Sequence, residues 1–151
     1  VVSDEANFIC TLEACIGIGA LNKGREIHIE LVKFGLEGSP IIGATLLHMY
    51  GKHGSLVEAE SVFNKLAIKD VVTWTTLMFA YVQNELGDDA LWCFEQMQIG
   101  GICPNAIAFF IGLKACVNTG SMDKAQEIHT LAVKQGMDMD LVFGDYIMNV
   151  H

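Results

Sequence analysis

Cys15 and His28 recur as Cys116 and His129, 101 positions further along the chain. A thiol and an imidazole can serve as metal ligands or as a nucleophile and its base. The spacing supports neither chemistry. A structural zinc site needs four ligands, usually in closely spaced pairs. None of the five cysteines (Cys10, Cys15, Cys93, Cys103, Cys116) belongs to a C-x-x-C pair. A cysteine nucleophile also needs a third group to orient its base, and repetition at a fixed offset points to structure instead. "GIGALNKG" (17–24) is not a G-x-G-x-x-G motif and follows no strand pattern, so it does not read as a phosphate cradle. The residues therefore indicate no metal, no cofactor and no catalytic role. They read as groups packed at helix ends, with the cysteines as free buried thiols of a reducing compartment.

The elements that position them are repeated units. "LEACIGIGALNKGREIH" (12–28) and "LKACVNTGSMDKAQEIH" (113–129) match without a gap at Leu12/Leu113, Ala14/Ala115, Cys15/Cys116, Gly19/Gly120, Lys23/Lys124, Glu26/Glu127, Ile27/Ile128 and His28/His129. Between them, "IIGATLLHMYGKHGSLVEAESVF" (41–63) and "VVTWTTLMFAYVQNELGDDALWCF" (71–94) share one layout: an apolar stripe, a polar break, then Ala-x-x-x-Phe (Ala59 and Phe63; Ala90 and Phe94). Aligning all four gives units 5–39, 40–70, 71–105 and 106–140, with 1–4 as the tail of a preceding unit and 141–151 as a truncated one. The unit lengths of 35, 31 and 35 close on the 101-residue offset.

Each unit reads as two helices. Trp74, Leu77, Met78 and Tyr81 fall on one helical face, and Ala90, Phe94 and Met97 form the stripe of the next helix. Trp92 is expected to pack in the core with them. Gly19, Gly54 and Gly120 sit at the break, where a left-handed residue closes the first helix. Glu85 holds that position in unit 71–105, at a cost of about 1 kcal/mol. Hairpins of this kind bury their apolar faces only by stacking on one another. The expected fold is all-α: a right-handed α-solenoid of stacked antiparallel helix-turn-helix repeats, one continuous solenoid along the chain.

Composition agrees. Of 151 residues, 52% are hydrophobic and 18% charged, enough for a large core. A net charge of −9 opposes strong non-specific nucleic-acid binding, and DNA is not an expected partner. No apolar run is long enough to span a membrane. The chain opens on Val1 and stops at His151 within an apolar segment, which reads as a piece of a longer protein with any targeting segment upstream.

The chain resembles the pentatricopeptide repeat family, in its plant subclass that alternates three repeat types. "DVVTWTTLMFAYVQNELGDDALWCFEQMQIGGICPN" (70–105) is similar to the 35-residue P type, and "PIIGATLLHMYGKHGSLVEAESVFNKLAIKD" (40–70) to the short S type. The two units carrying Ala-Cys and Ile-His pairs resemble the L type, so 5–39 and 106–140 are L units, 71–105 a P unit and 40–70 an S unit. Residues 1–4 then end a P type and 141–151 begin an S type.

This resemblance implies sequence-specific binding of single-stranded RNA, about one base per repeat. The parent protein would sit in a mitochondrion or chloroplast, where it would guide processing or C-to-U editing of organellar RNA by another domain or by protein editing or processing cofactors. In the family, a repeat's fifth and last residues face the base. In the P unit these are Thr75 and Asn105, a pair similar to those preferring adenine, with Val72 packing against the base. The corresponding residues elsewhere are Ala44 with Asp70, Phe110 with Asp140, and Ile9 with Ser39. Ala44 cannot hydrogen-bond, and Phe110 could stack on a base. Lys52 matches a position that can meet a phosphate. Read without the resemblance, Asn105 is a helix N-cap and Thr75 an ordinary surface residue. The alternative function is a peptide-binding scaffold of the tetratricopeptide type. That family keeps a constant 34-residue period and opens on W-x-x-L-G, neither of which occurs here.

Overall fold

In the computed structural model, residues 4–137 and Gly144 are described. The sequence-expected helix at 142–150 and the reader candidate Asp140 lie outside them. The described residues form eight helices: α1 (Asp4–Ile18), α2 (Leu21–Lys33), α3 (Pro40–Lys52), α4 (Leu56–Lys65), α5 (Val71–Gln83), α6 (Gly87–Ile99), α7 (Ala106–Thr119) and α8 (Met122–Lys134).

Local chemistry sets their ends. Asp70 and Asn105 cap α5 and α7 by accepting from the backbone N–H of Thr73 and Ala108, each at 2.9 Å. Ser121 caps α8 through Lys124 N, and Pro40 supplies a preset φ at the first turn of α3. The odd-numbered helices all close in the same way. The backbone N–H groups of Ala20, Ser55, Leu86 and Ser121 reach back to the carbonyls of Cys15, Tyr50, Tyr81 and Cys116. The left-handed residues inside these turns are Gly19, Gly54, Glu85 and Gly120. Glu85 is the one non-glycine residue at positive φ (60°) among the described residues, as its position in the repeat required.

The odd helices pack on one another in sequence, α1 on α3 on α5 on α7. Each even helix rests on its own odd partner and, for α2, α4 and α6, on the next odd helix as well. No two even helices come into backbone contact among the described residues. The odd layer is therefore the tight one and the even layer is splayed, so the stack curves with the odd helices inside. Burial follows: α3, α5 and α7 are apolar on several faces, as in "AIAFFIGLKACV", whereas α2 and α8 carry charge on their outer faces. Leu12, Ile42, Leu46, Leu47, Met49, Met78, Ala108 and Phe109 are fully or almost fully buried.

The core also absorbs the repeated cysteines. Cys15 and Cys116 are buried where the odd helices end. The equivalent residues Tyr50 and Tyr81 fill the same place and reach the preceding even helix. Tyr50 meets His28 Nδ1 at 2.6 Å and Tyr81 donates to Glu60. Trp92 departs from expectation. It is 55% exposed, because it lies about 200° around α6 from Ala90 and so faces away from the stripe of Ala90, Phe94 and Met97. Between even helices, side chains bridge the gap: Arg25 of α2 pairs with Glu58 of α4 at 2.6 Å, and Lys124 of α8 with Glu95 of α6 at 2.7 Å. Exposed pairs of this kind contribute about 0.2–1 kcal/mol each. Among the described residues, no helix is long and apolar enough to cross a membrane.

Candidate nucleic-acid interface

The inner face of the odd layer carries a groove of about 560 Å³, lined by residues of α1, α3, α5 and α7 and by Asn105. Its wall is mostly apolar. Five residues selected from the sequence meet there: Ala44, Val72, Thr75, Asn105 and Phe110. Val72 is 53% exposed and Phe110 43%. The Lys114 ammonium sits 5.3 Å from the centre of the Phe110 ring, a cation–π contact that holds the ring at the edge of the groove.

Hydrogen bonding fixes the polarity of the two polar candidates. The Thr75 hydroxyl donates to the Val72 carbonyl at 3.1 Å, so its oxygen is left to accept. Thr75 is almost buried, 7% exposed, and is not the surface residue that its type suggests. The Asn105 side chain accepts from Ala108 N. Only its oxygen can accept from an N–H, so the amide NH₂ is left to donate. Asn105 is thus an N-cap and a groove residue at once. Capping fixes which half of the amide is free.

The other candidates are not among the residues that line the groove. Asp70 caps α5 in the same manner as Asn105. Ser39, at the N-cap position of α3, makes no cap bond. Its hydroxyl donates instead to Glu5 at 3.1 Å. Ile9 is half-buried against the core, and Lys52 is exposed in the last turn of α3.

Sequence reasoning did not select Glu13, Thr45, His48, Thr76, Phe79, Ile107 and Ile111, which also line the groove. One signal was available. Glu13, His48 and Phe79 each follow a selected residue (Ile9, Ala44, Thr75) by four, and so share its helix face. Ile107 opens α7 as Val72 opens α5, and is 60% exposed.

Charge along the groove is mixed. The inner helices carry Asp4, Glu5 and Glu13 against Lys52 and Lys114, a net −1. The outer helices carry nine acids against six bases, net −3. Burial holds the His48 pKa below its ordinary value. Lys52 adds to this and Glu13 opposes it. Burial also raises the Cys93 and Cys116 thiols to about 12, which keeps them protonated and inert. Among the described residues, no group of three or more His, Cys, Asp or Glu side chains could hold a metal.

Two family models match: one described as the PPR repeat family over residues 69–118, and one described as the PPR repeat over 45–71. Similar relatives include a pentatricopeptide repeat-containing protein of Arabidopsis thaliana that is 39% identical over 124 residues, covering 82% of this chain and 14% of the relative. Another from the same plant, named as chloroplastic, is 32% identical over 96% of this chain and 18% of the relative. A third, named as mitochondrial, is 30% identical over 98% and 14%. The chain thus spans less than a fifth of the length of these three relatives. Among solved structures, the pentatricopeptide repeat protein PPR10 in complex with an 18-nucleotide psaJ RNA element superposes with a TM-score of 0.80 at 21% identity. That match covers 97% of this chain and 22% of that one. The PPR domain of Arabidopsis thaliana protein-only RNase P 1, in complex with tRNA, gives 0.71 at 20% identity, covering 98% and 87%.

Proposed function

Because the chain belongs to the pentatricopeptide repeat family, we propose that its inner groove binds single-stranded RNA, about one base per unit. Units 5–39, 40–70, 71–105 and 106–140 are taken as L, S, P and L repeats, each holding one helix pair. In a longer parent protein, this segment would help address an organellar transcript, and processing or editing would fall to another domain or to a protein cofactor.

One observation carries the reading. Thr75 and Asn105 line the same groove as the exposed apolar residues Val72 and Ile107. A flat base fits between such flanks, and its edge then meets an acceptor (Thr75 Oγ1) and a donor (Asn105 Nδ2). Adenine and cytosine present the complementary pair, an exocyclic amino group beside a ring-nitrogen acceptor. Guanine and uracil present a carbonyl beside a ring N–H, the reverse. Adenine is the base that the family resemblance assigns to this pair. Val72, Thr75 and Asn105 are the readers, with Phe110 as a stacking surface and Lys52 as a phosphate contact. Ala44, Asp70, Ile9, Ser39 and Asp140 occupy reader positions in the other units, where Ala44 and Ile9 have no side-chain group to hydrogen-bond a base. The family matches favour this reading over a peptide-binding scaffold.

The test is Asn105→Asp. One carboxylate oxygen keeps the cap on α7, while the other turns the free donor into an acceptor. Preference at that base should move from adenine toward guanine. The double change Thr75→Asn with Asn105→Asp should move it toward uracil. A single good base contact discriminates by about 1–3 kcal/mol, so the exchange is measurable by fluorescence anisotropy at low, stated salt. An unchanged base ranking in both variants sinks the assignment.

A further inference from the structure

A second row of side chains runs beside the readers. Glu13, His48, Phe79 and Lys114 follow Ile9, Ala44, Thr75 and Phe110 by four residues, one helical turn along the same faces. The first three line the groove, and Lys114 lies over Phe110. From α1 to α7 the row reads acid, imidazole, phenyl, ammonium. No ion pair holds Glu13 or Lys114 among the described residues. Lys52, exposed one turn beyond His48, places a second cation on α3.

The first unit has little to offer a base. Ile9 has no hydrogen-bonding group, and the Ser39 hydroxyl gives its proton to Glu5, which leaves only its oxygen as an acceptor. Glu5 places a second carboxylate on α1, at its first turn.

We propose that the groove is polarised along its length: Glu13 keeps a phosphate chain off the α1 end, while Lys52 and Lys114 hold it over α3 to α7. Unit 5–39 is then a spacer that is skipped by the strand. Glu13 lines the groove and is exposed, so its carboxylate acts on the nearest phosphates as an exposed charge does. This inference rests on the RNA reading above and adds where along the groove the strand lies.

The experiment uses the whole 151-residue chain and a fluorescein-labelled twelve-nucleotide oligoadenylate, followed by anisotropy from low salt upward. Glu13→Lys should tighten binding by about two- to fivefold at low salt, the range of an exposed charge contact. It should also steepen the salt dependence by about 0.7 in log–log slope, one added phosphate contact on a single strand. Lys114→Gln should weaken binding to a similar degree. Glu30→Lys makes the same charge change on the outer helix α2 and should gain less than Glu13→Lys. If Glu30→Lys gains as much, the effect is one of net charge and the polarised groove is overturned. An unchanged affinity in Glu13→Lys overturns it too. If no variant binds the oligonucleotide at all, the RNA reading itself fails, and this inference with it.

Discussion

Gly87 is the first residue of α6, and the packing of α6 against α7 depends on its missing side chain. A Cβ built there would lie 2.5 Å from the Ala115 carbonyl oxygen and 2.8 Å from both Asn118 Cβ and Thr119 Cγ2. The first of these is backbone and cannot rotate away, so Gly87→Ala must push α6 from α7. Overpacking of this kind costs about 1–3 kcal/mol. The better helix propensity of alanine offsets up to about 1 kcal/mol, and less than that in a first turn. A net loss of about 1–2 kcal/mol remains. For a chain of this size, that lowers the thermal midpoint by roughly 2–8 °C. Gly17→Ala is the matched control. Gly17 lies inside α1, is exposed, and has nothing within 4 Å of the added carbon. There the same substitution should gain about 0.5–1 kcal/mol and raise the midpoint by a few degrees. Thermal unfolding followed by circular dichroism at 222 nm reads both. A midpoint that rises in Gly87→Ala, or that moves in the same direction in both variants, would refute the close-approach argument.

Other outcomes follow from the same geometry. Glu85→Gly should stabilise the chain by about 1 kcal/mol, since a residue with a Cβ is held at φ 60°; chemical denaturation with an unchanged slope and a later midpoint is the expected result. With a thiol reagent on the folded protein, Cys10 and Cys103 should react quickly, and Cys15, Cys93 and Cys116 only after unfolding. Burial lowers the His28 pKa below its ordinary value, the largest of the influences on it. The unfolded chain therefore takes up the proton first as the pH falls below about 6.5, so stability should decline with acidification in that window. The Tyr50 hydroxyl, which is hydrogen-bonded to His28, is raised to about 12 by burial. Stability that it contributes should be lost as the pH climbs above about 10, where the unfolded tyrosine ionises first. Asn105→Ala should cost about 1 kcal/mol through loss of the α7 cap even without RNA, which urea unfolding would detect.

How much was legible in the sequence follows from which interactions are local. The duplicated Cys and His, the apolar stripes and the glycine breaks lie within single units, so the sequence determined the helix hairpins and their stacking into a solenoid. It also determined the left-handed turn residues, down to Glu85, because closing a helix is a matter of a few adjacent residues. It pointed to Thr75 and Asn105 through family resemblance, and to Asn105 as a cap through residue type. Only the tertiary structure decided what these residues can offer a ligand. Thr75 is nearly buried and spends its proton on Val72, while Asn105 spends its oxygen on Ala108. The membership of the groove was likewise set by helices 30 or more residues apart. Glu13, His48, Phe79 and Ile107 meet there because α1, α3, α5 and α7 pack side by side while the even helices splay. The exposure of Trp92, the contact of Tyr50 with His28 and the approach of Gly87 to Ala115 have the same origin. Each depends on which face of one helix meets which face of another, and periodicity along a single helix carries no record of its partner.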